Sequence, residues 1–464
     1  MKIAIVGTGY VGLVSGACLA DLGHDVVCID RDLGKIEGLQ NGVMPIYEPG
    51  LEALVARNVA ASRLTFSHDL AAGVKSRDAV LIAVGTPSEA GSGRADLSYV
   101  FAAALEIAAN LDGFTIVATK STVPVGTNRK IAEITADVIP AGASMAVASN
   151  PEFLREGAAI ADFMQPDRIV VGAEDPRAVA VMRQIYWPLV AQGFPLIGCG
   201  LETAEVVKYA ANAFLAVKIT FMNEVADLCE RVDADVETVA AGVGADHRIG
   251  RAFLRVGPGW GGSCFPKDTR ALATTARDND VRLKVLEACI EANGDRKAAM
   301  AARVETACGG DLRGKRVAVL GLTFKGQTDD MRESPSLDLV SALCARGASV
   351  HAYDPSQPRE ARRLLPAVHL ATSPQSAVEG ADAVVLATDW DEFASYDLGA
   401  LADRMADPVL VDLRNMFEAK TAIACGFRRY VGLGRGAQRE DAVQGPMAPG
   451  MPDEAAVFRS VAAE

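Results

Sequence analysis

The sequence predicts an α/β protein with two doubly wound parallel-sheet domains joined by a long central helix. Three observations carry that expectation. Short apolar strands alternate with helical patterns in both halves of the chain, as they do in open parallel sheets. A helical pattern over 201–231 runs without a Gly or Pro to interrupt it. Each half also opens on a strand whose successor ends on an acid, Asp30 in the first and Asp354 in the second. At 464 residues the chain exceeds one ordinary core. The expected divisions are a Rossmann-like domain over 1–199, a central helical region over 200–305, a second α/β domain over 306–436 and a mobile tail over 437–464, where Gly, Pro, Ala and acids accumulate.

In the first domain, strand Lys2–Val6 runs directly into Gly7-Thr8-Gly9-Tyr10-Val11-Gly12, a helical pattern to Leu22, and a strand over 25–29 that ends on Asp30. A glycine triplet alone is a weak signal, but each part of this unit has a task on a dinucleotide. Gly7 makes the turn, Gly9 admits the pyrophosphate, Gly12 allows tight packing, and Asp30 binds the adenosine ribose hydroxyls. A carboxylate there repels a ribose phosphate and selects NAD over NADP, while Arg31 beside it works in the opposite sense. Further strands are expected at 79–84, 116–118, 146–148 and 169–171. Ligands in such sheets sit beyond the carboxyl ends of the strands. Those ends carry Gly85-Thr86-Pro87, Lys120-Ser121-Thr122-Val123-Pro124 and Asn150-Pro151-Glu152-Phe153-Leu154-Arg155-Glu156-Gly157. Any one is compatible with an ordinary strand-to-helix turn; three on one edge point to a site.

On the central helix, Lys208 and Asn212 stand four apart and share a face with Glu205. A lysine and an amide so placed can stabilise an oxygen that gains negative charge. The alternative is an exposed Glu205–Lys208 pair. Ala204, Val207, Ala210, Ala211 and Phe214 suggest a helix buried on most sides, of the kind that packs against a partner chain. Beyond it, Gly261-Gly262-Ser263-Cys264-Phe265-Pro266-Lys267-Asp268 reads as a reactive thiol before a helix expected over 269–277. The glycines let the backbone approach a substrate, Pro266 suits a first helical turn, and helix-start N–H groups favour a thiolate. The bland alternative is a structural cysteine beside a turn.

In the second α/β half, strands are expected at 316–321, 349–355, 383–387 and 409–412, with a helix over 336–345. Its first turn, Leu322-Thr323-Phe324-Lys325-Gly326, lacks the glycine fingerprint, so a different ligand is expected. Lys325, Arg332 and Arg414 suit phosphate recognition, although each alone is equally an ordinary surface charge.

Composition narrows the partners. Hydrophobic residues make up 50% and charged ones 23%, the balance of a soluble globular protein. No apolar run reaches spanning length and no signal peptide is evident, so a cytoplasmic protein without membrane association is expected. A net charge of −13 offers nucleic acid no general attraction, and an anionic ligand must be held by local cations or helix N-termini. The nine cysteines are scattered without CxxC or Cys/His spacing, so no metal site is expected and most are read as reduced core residues.

A nicotinamide site, a thiol, a lysine–asparagine pair and an anion-binding half together imply an oxidoreductase for a phosphorylated substrate. Oxidising an alcohol to a ketone needs a base but no thiol. Oxidising an aldehyde benefits from one, because a thiolate adduct can lose hydride to give a thioester that water opens.

Taken in order, with Tyr47-Glu48-Pro49-Gly50, Arg248-Ile249-Gly250 and Gly321-Leu322-Thr323-Phe324-Lys325 added, these motifs resemble the UDP-glucose and GDP-mannose dehydrogenase family over roughly residues 1–435. The resemblance implies four-electron oxidation of a sugar carbon 6, UDP-glucose to UDP-glucuronate, with two NAD and water. Sister enzymes take GDP-mannose or a UDP-N-acetylhexosamine; Arg248-Ile249-Gly250 and Phe265-Pro266-Lys267-Asp268 resemble the UDP-glucose branch more closely. The implied nucleophile is Cys264, with Lys208 and Asn212 stabilising oxyanions, Asp268 assisting proton transfer and hydrolysis, and Glu152 and Thr122 in the water network. The implied NAD positions are Gly7, Gly9, Tyr10, Val11, Gly12, Asp30, Lys35, Thr86, Thr122, Glu156, Lys267 and Arg332. The implied substrate positions are Glu152, Phe153, Leu154, Lys208, Asn212, Phe253, Leu254, Arg255, Gly257, Gly261, Lys325 and Arg414, with Arg248 reaching in across a homodimer interface. Trp260 departs from the family's usual Tyr or Phe, and the Arg255-Val256-Gly257-Pro258-Gly259 loop departs as well; both bear on how the sugar is packed. A nucleotide-sugar or NAD sensor without turnover, and a two-electron dehydrogenase, are the readings from other classes. The first has no need of the thiol set, and NADH stoichiometry separates the second.

Overall fold

The computed structural model describes residues 1–89 and 93–435; the segment 437–464, expected as a tail, lies outside them. The first sheet has eight strands: β1 (Lys2–Val6), β2 (Asp25–Ile29), β3 (Leu64–Ser67), β4 (Ala79–Ile82), β5 (Phe114–Thr119), β6 (Ser144–Ser149), β7 (Ile169–Ala173) and β8 (Leu196–Cys199), in the order β3-β2-β1-β4-β5-β6-β7-β8. The second has six: β9 (Arg316–Leu320), β10 (Ser349–Tyr353), β11 (His369–Leu370), β12 (Ala383–Leu386), β13 (Val409–Asp412) and β14 (Arg429–Val431), in the order β11-β10-β9-β12-β13-β14.

Both sheets are buried on two faces because their central strands are apolar at most positions while side chains alternate sides. Ile3 and Ile5 enter one core layer, Ala4 and Val6 the other. The second sheet repeats the device, with Val317 and Val319 on one face and Ala318 and Leu320 on the other. Burying a side chain such as Ile5 contributes roughly 2 kcal/mol.

One pair departs from the expected parallel order. β7 runs antiparallel to β6, Ser149 opposite Gly172, because the connection from β6 stays on the ligand edge instead of crossing the sheet. This reversal matters for the site. β8 lies parallel to β7 and ends with Cys199 beside Gly172, so the chain leaves the sheet near the carboxyl end of β6. The central helix (Leu201–Val232) starts there.

The central helix is less enclosed than its composition suggests. Ala204, Glu205, Lys208, Asn212 and Ala216 are buried, whereas Phe214, Phe221 and Leu228 are 66%, 58% and 59% exposed. Small residues alternate with aromatics on different faces, so burial is one-sided within the single chain. Farther along, Met222 and Ala226 join Met300 and Val304 of the helix Lys284–Ala307 in the core that covers the Val317/Val319 face. The helix thus serves the first domain with its beginning and the second with its end. Among the described residues no helix is long and apolar enough to cross a membrane.

Candidate active site

The helix carrying the thiol begins four residues earlier than expected, at Phe265, and runs to Asp278 with Pro266 in its first turn. Cys264 is therefore its N-cap. The approach to it is set by two glycines. A Cβ at Gly261 would stand 2.1 Å from the Glu333 carbonyl oxygen, and one at Gly262, where φ is 85°, would meet the Phe324 ring at 2.8 Å. The loop passes this close to the second domain only without side chains. Gly262 N–H donates to Arg332 O at 2.8 Å and holds it there.

Central-helix residues converge on the same place. Lys208 Nζ lies 3.1 Å from Glu152 Oε1, both side chains buried, and Leu154 N–H donates to Glu152 Oε2 at 2.5 Å. One turn on, Asn212 Nδ2 donates to Asp268 Oδ2 at 2.6 Å, while Lys267 Nζ donates to Asp268 Oδ1 at 2.5 Å. Asp268 is fully buried behind them. The Glu205–Lys208 surface pair does not form. Glu205 instead accepts from Gly126 N–H at 2.6 Å and Asn128 N–H at 2.8 Å, capping the helix that follows the Thr122 loop. Burial pushes the Glu205 carboxyl up, and those N–H bonds work against it.

The thiol's protonation runs against the expectation from its helix start. Burial raises the Cys264 pKa, the Lys208 ammonium lowers it, and the carboxylates of Glu152 and Asp268 raise it again; the net shift is upward. A half-buried sulfur beside two carboxylates outweighs the few N–H groups of one helix end. Burial also works against the charge on Lys208, yet Glu152, Cys264 and Asp268 together hold its pKa above the ordinary value. The ammonium is retained where an oxyanion would need it.

A cavity of about 820 Å³ joins these groups. Glu152, Lys208, Asn212 and Cys264 line it, with Phe153, Leu154 and Glu156 on the first-domain side. Phe253, Arg255, Gly257 and Gly261 form another wall, and Lys325 and Arg414 enter from the second domain. Arg414 donates to Ala387 O at 2.9 Å and Phe324 O at 3.0 Å, which pins the guanidinium at the sheet edge. Burial draws the Lys325 pKa down, with Glu156 opposing, and an anion arriving beside it would oppose that lowering further.

Other expected residues stand elsewhere. Leu254 is 4% exposed, its side chain in the core under the second domain together with Val256. Arg248 is bound to Asp246, its side chain 78% exposed, and lines no part of this chain's cavity. Arg332 pairs with Asp330 at 2.7 Å and reaches Glu156 at 3.5 Å. Thr122 is buried behind the cavity, its carbonyl accepting from the Thr86 hydroxyl at 3.1 Å.

At the dinucleotide turn, Gly9 has nothing within 4 Å of where a Cβ would stand, leaving room for a pyrophosphate against Tyr10, Val11 and Gly12 at the helix start. Asp30 Oδ2 accepts from the Thr8 N–H and hydroxyl, both at 2.8 Å, and Lys35 Nζ lies 4.0 Å away. Against its burial, these bonds hold Asp30 below the usual carboxylate range, an anionic acceptor suited to ribose hydroxyls. The residues fit a dinucleotide.

Sequence reasoning missed the residues that carry the cavity wall. Asn223 Oδ1 accepts from Gly257 N–H at 2.9 Å, and Arg296 Nε donates to Gly257 O at 3.0 Å. Asn293 bonds the Trp260 N–H and carbonyl at 2.8 and 3.1 Å, and Trp260 Nε1 donates to Thr220 Oγ1 at 2.8 Å. Trp260 meets Phe265 edge-on at 6.3 Å. Buried amides and an arginine in the middle of apolar helix faces were the available signal. Asp389, 3.3 Å from Arg255, was likewise missed.

Comparison with known proteins agrees with this layout. Three models of the UDP-glucose/GDP-mannose dehydrogenase family match in order: the NAD binding domain over residues 1–190, the central domain over 202–295 and the UDP binding domain over 318–419. The chain belongs to the UDP-glucose/GDP-mannose dehydrogenase family. As a member of that family it is an NAD-dependent dehydrogenase, and its first domain is the family's NAD-binding domain. A UDP-glucose 6-dehydrogenase of Rhizobium meliloti (strain 1021) is 55% identical over 437 residues, covering 94% of this chain and 100% of the relative. The solved UDP-glucose dehydrogenase of Pyrobaculum islandicum superposes with a TM-score of 0.86 at 38% identity, covering 94% of this chain and 98% of that one. A UDP-D-ManNAc dehydrogenase from Pyrococcus horikoshii gives 0.82 at 27% identity, with 94% and 99% covered.

Proposed function

We propose that this chain oxidises UDP-glucose to UDP-glucuronate in two steps at one cavity, consuming two NAD and one water. The observation that carries the proposal is Cys264 in the same cavity as Lys208 and Asn212, with Glu152 and Asp268 bonded behind them. NAD, when bound, supplies the hydride acceptor for both oxidations. In the first, the carbon 6 hydroxyl gives up its proton to solvent by way of water beside Glu152 as its C–H gives up hydride, leaving an aldehyde whose oxygen faces Lys208 and Asn212. The Cys264 sulfur then adds to the aldehyde carbon, its proton passing to the new alkoxide, and a thiohemiacetal forms. Lys208 and Asn212 stabilise that oxyanion by charge and a hydrogen bond. Loss of the second hydride and the hydroxyl proton gives a thioester. Water, positioned by Glu152 beside the Asn212 that Asp268 orients, adds to it, and the C–S bond breaks to release carboxylate and thiol. Lys208 opposes the raised thiol pKa without reversing it, in keeping with attack by a sulfur whose proton passes on to the alkoxide.

The uridine diphosphate is proposed to lie toward Lys325 and Arg414, whose cations face the cavity from the UDP binding domain. The exposed Phe214, Phe221 and Leu228, seven residues apart along the central helix, support a homodimer through that stripe. Arg248 of the partner subunit would then complete the site. A cytoplasmic location suits nine free cysteines. The 55% identity to a UDP-glucose 6-dehydrogenase, against 27% to the UDP-D-ManNAc dehydrogenase, favours glucose over an N-acetylhexosamine.

The test is NADH yield from UDP-glucose, GDP-mannose and UDP-N-acetylmannosamine. About two NADH per UDP-glucose are expected, and Cys264→Ala should form no net acid. One NADH per sugar with full activity in that variant rules out the thioester route; turnover of only the other sugars rules out the substrate.

A further inference from the structure

The Tyr47-Glu48-Pro49-Gly50 motif has no part in this chemistry, yet its carboxylate is 7% exposed. Glu48 Oε1 accepts from Ala159 N–H at 2.8 Å, and Oε2 accepts from Gly157 N–H at 2.7 Å and from the Tyr10 hydroxyl. All three donors are neutral, and a buried carboxylate without a cation is costly to keep. Gly157 N–H also donates to the Tyr10 oxygen at 2.9 Å. Burial and Glu48 push the Tyr10 pKa upward, so its proton stays in the bond.

What Glu48 joins gives it a use. Tyr10 lies within the glycine fingerprint and opens its helix, where the dinucleotide pyrophosphate is read to bind. Gly157 follows Glu156, whose Oε1 accepts from Ser263 Oγ at 3.1 Å and whose Oε2 accepts from Thr328 Oγ1 at 3.0 Å. Ser263 adjoins Cys264, with Oγ 3.5 Å from its Sγ. Gly157 has no freedom to drift: φ is 83°, and a Cβ there would meet the Gln327 carbonyl at 2.7 Å. One corner, Glu156-Gly157, is thus fastened to the dinucleotide turn, the thiol loop and the second domain.

We infer that Glu48 is a positioning residue that ties the Tyr10 end of the dinucleotide turn to the Glu156-Gly157 corner, so that occupancy of the turn is felt at the Cys264 thiol. The inference rests on the proposed assignment of the turn to NAD and of Cys264 to the nucleophile. A residue that merely capped the short helix after Gly157 would affect stability alone.

ADP-ribose provides the test, because it fills the adenosine and pyrophosphate region but has no nicotinamide to shield the sulfur. The rate of Cys264 alkylation by iodoacetamide is followed by peptide mass spectrometry, with and without saturating ADP-ribose. In the wild type the ligand should change the rate by about fivefold, the size of a modest coupling between sites. In Glu48→Ala, with ADP-ribose binding checked by calorimetry, the effect should fall below about twofold. Tyr10→Phe removes only the hydroxyl link and leaves both backbone bonds to Glu48, so it should lose the effect while keeping the fold. Steady-state turnover of the Glu48→Ala variant should fall about tenfold in kcat with little change in KM for the nucleotide sugar. No ADP-ribose effect in the wild type, or an effect of wild-type size in either variant, overturns the inference. Failure of the nucleophile assignment shows separately, as acid formation by Cys264→Ala.

Discussion

The first strand of each α/β domain leaves its sheet through a left-handed glycine, Gly7 at φ 104° and Gly321 at φ 99°. Each glycine donates its N–H to the end of the neighbouring strand, to Ile29 O at 2.7 Å and Tyr353 O at 2.8 Å. The next N–H goes to the acid after that strand, Thr8 to Asp30 at 2.8 Å and Leu322 to Asp354 at 2.7 Å. There the likeness ends. Gly9 leaves open space and a helix starts at Tyr10, whereas Thr323 stands at the matching position, its hydroxyl 2.9 Å from Lys325 O and 3.2 Å from Asp354 Oδ2. The next helix begins only at Pro335. Asp354 also accepts from Ser356 and Trp390 and is 3% exposed. The acid at a strand end is therefore first a brace for the turn; it becomes a ligand group only where the turn leaves it reachable. The second domain uses its longer loop to bring Lys325 to the cavity instead.

The contrast is broken most severely by Gly9→Thr, which builds the second domain's turn into the first. Gly9 has φ −72°, which any residue adopts, and nothing crowds its Cβ direction, so the fold should survive. NAD binding should weaken by roughly 100-fold, about 3 kcal/mol, with thermal stability unchanged; calorimetry with NAD checks it. Retained affinity would show that the pyrophosphate does not approach there.

Asp354→Asn tests the other half of the comparison. Loss of a buried, multiply bonded carboxylate should destabilise the protein by about 2 kcal/mol in denaturant unfolding while the NAD dissociation constant stays the same. The same change at Asp30, which is reachable, should weaken NAD binding. Lys325→Ala, a smaller effect, should raise KM for the nucleotide sugar by about tenfold without altering NAD affinity, since its cation enters the cavity from the second domain.

Much of the site was legible in sequence because its parts are local devices. The glycine turn needs three residues in one register, the thiol loop needs glycines where Glu333 and Phe324 press against it, and Lys208 with Asn212 needs only helical spacing. Other parts were not legible. Asn223, Asn293 and Arg296 act on Gly257 and Trp260 from distant helices, and no spacing along the chain announces such pairs. β3 and β8 were missed as short edge strands, and β8 carries a glycine. Leu254 was expected against substrate, but a motif position does not specify which way a side chain turns.

By itself the sequence determined the two sheets and the central helix and singled out the groups proposed to react, because hydrophobic period and turn chemistry act over a few residues. Only the tertiary structure decided that β7 reverses and returns the chain to the ligand edge, that Asp30 is open while Asp354 is closed, and that Cys264 is held toward its neutral form. Those outcomes depend on desolvation and on charges contributed by segments far apart in the chain, which exist only once the domains have packed.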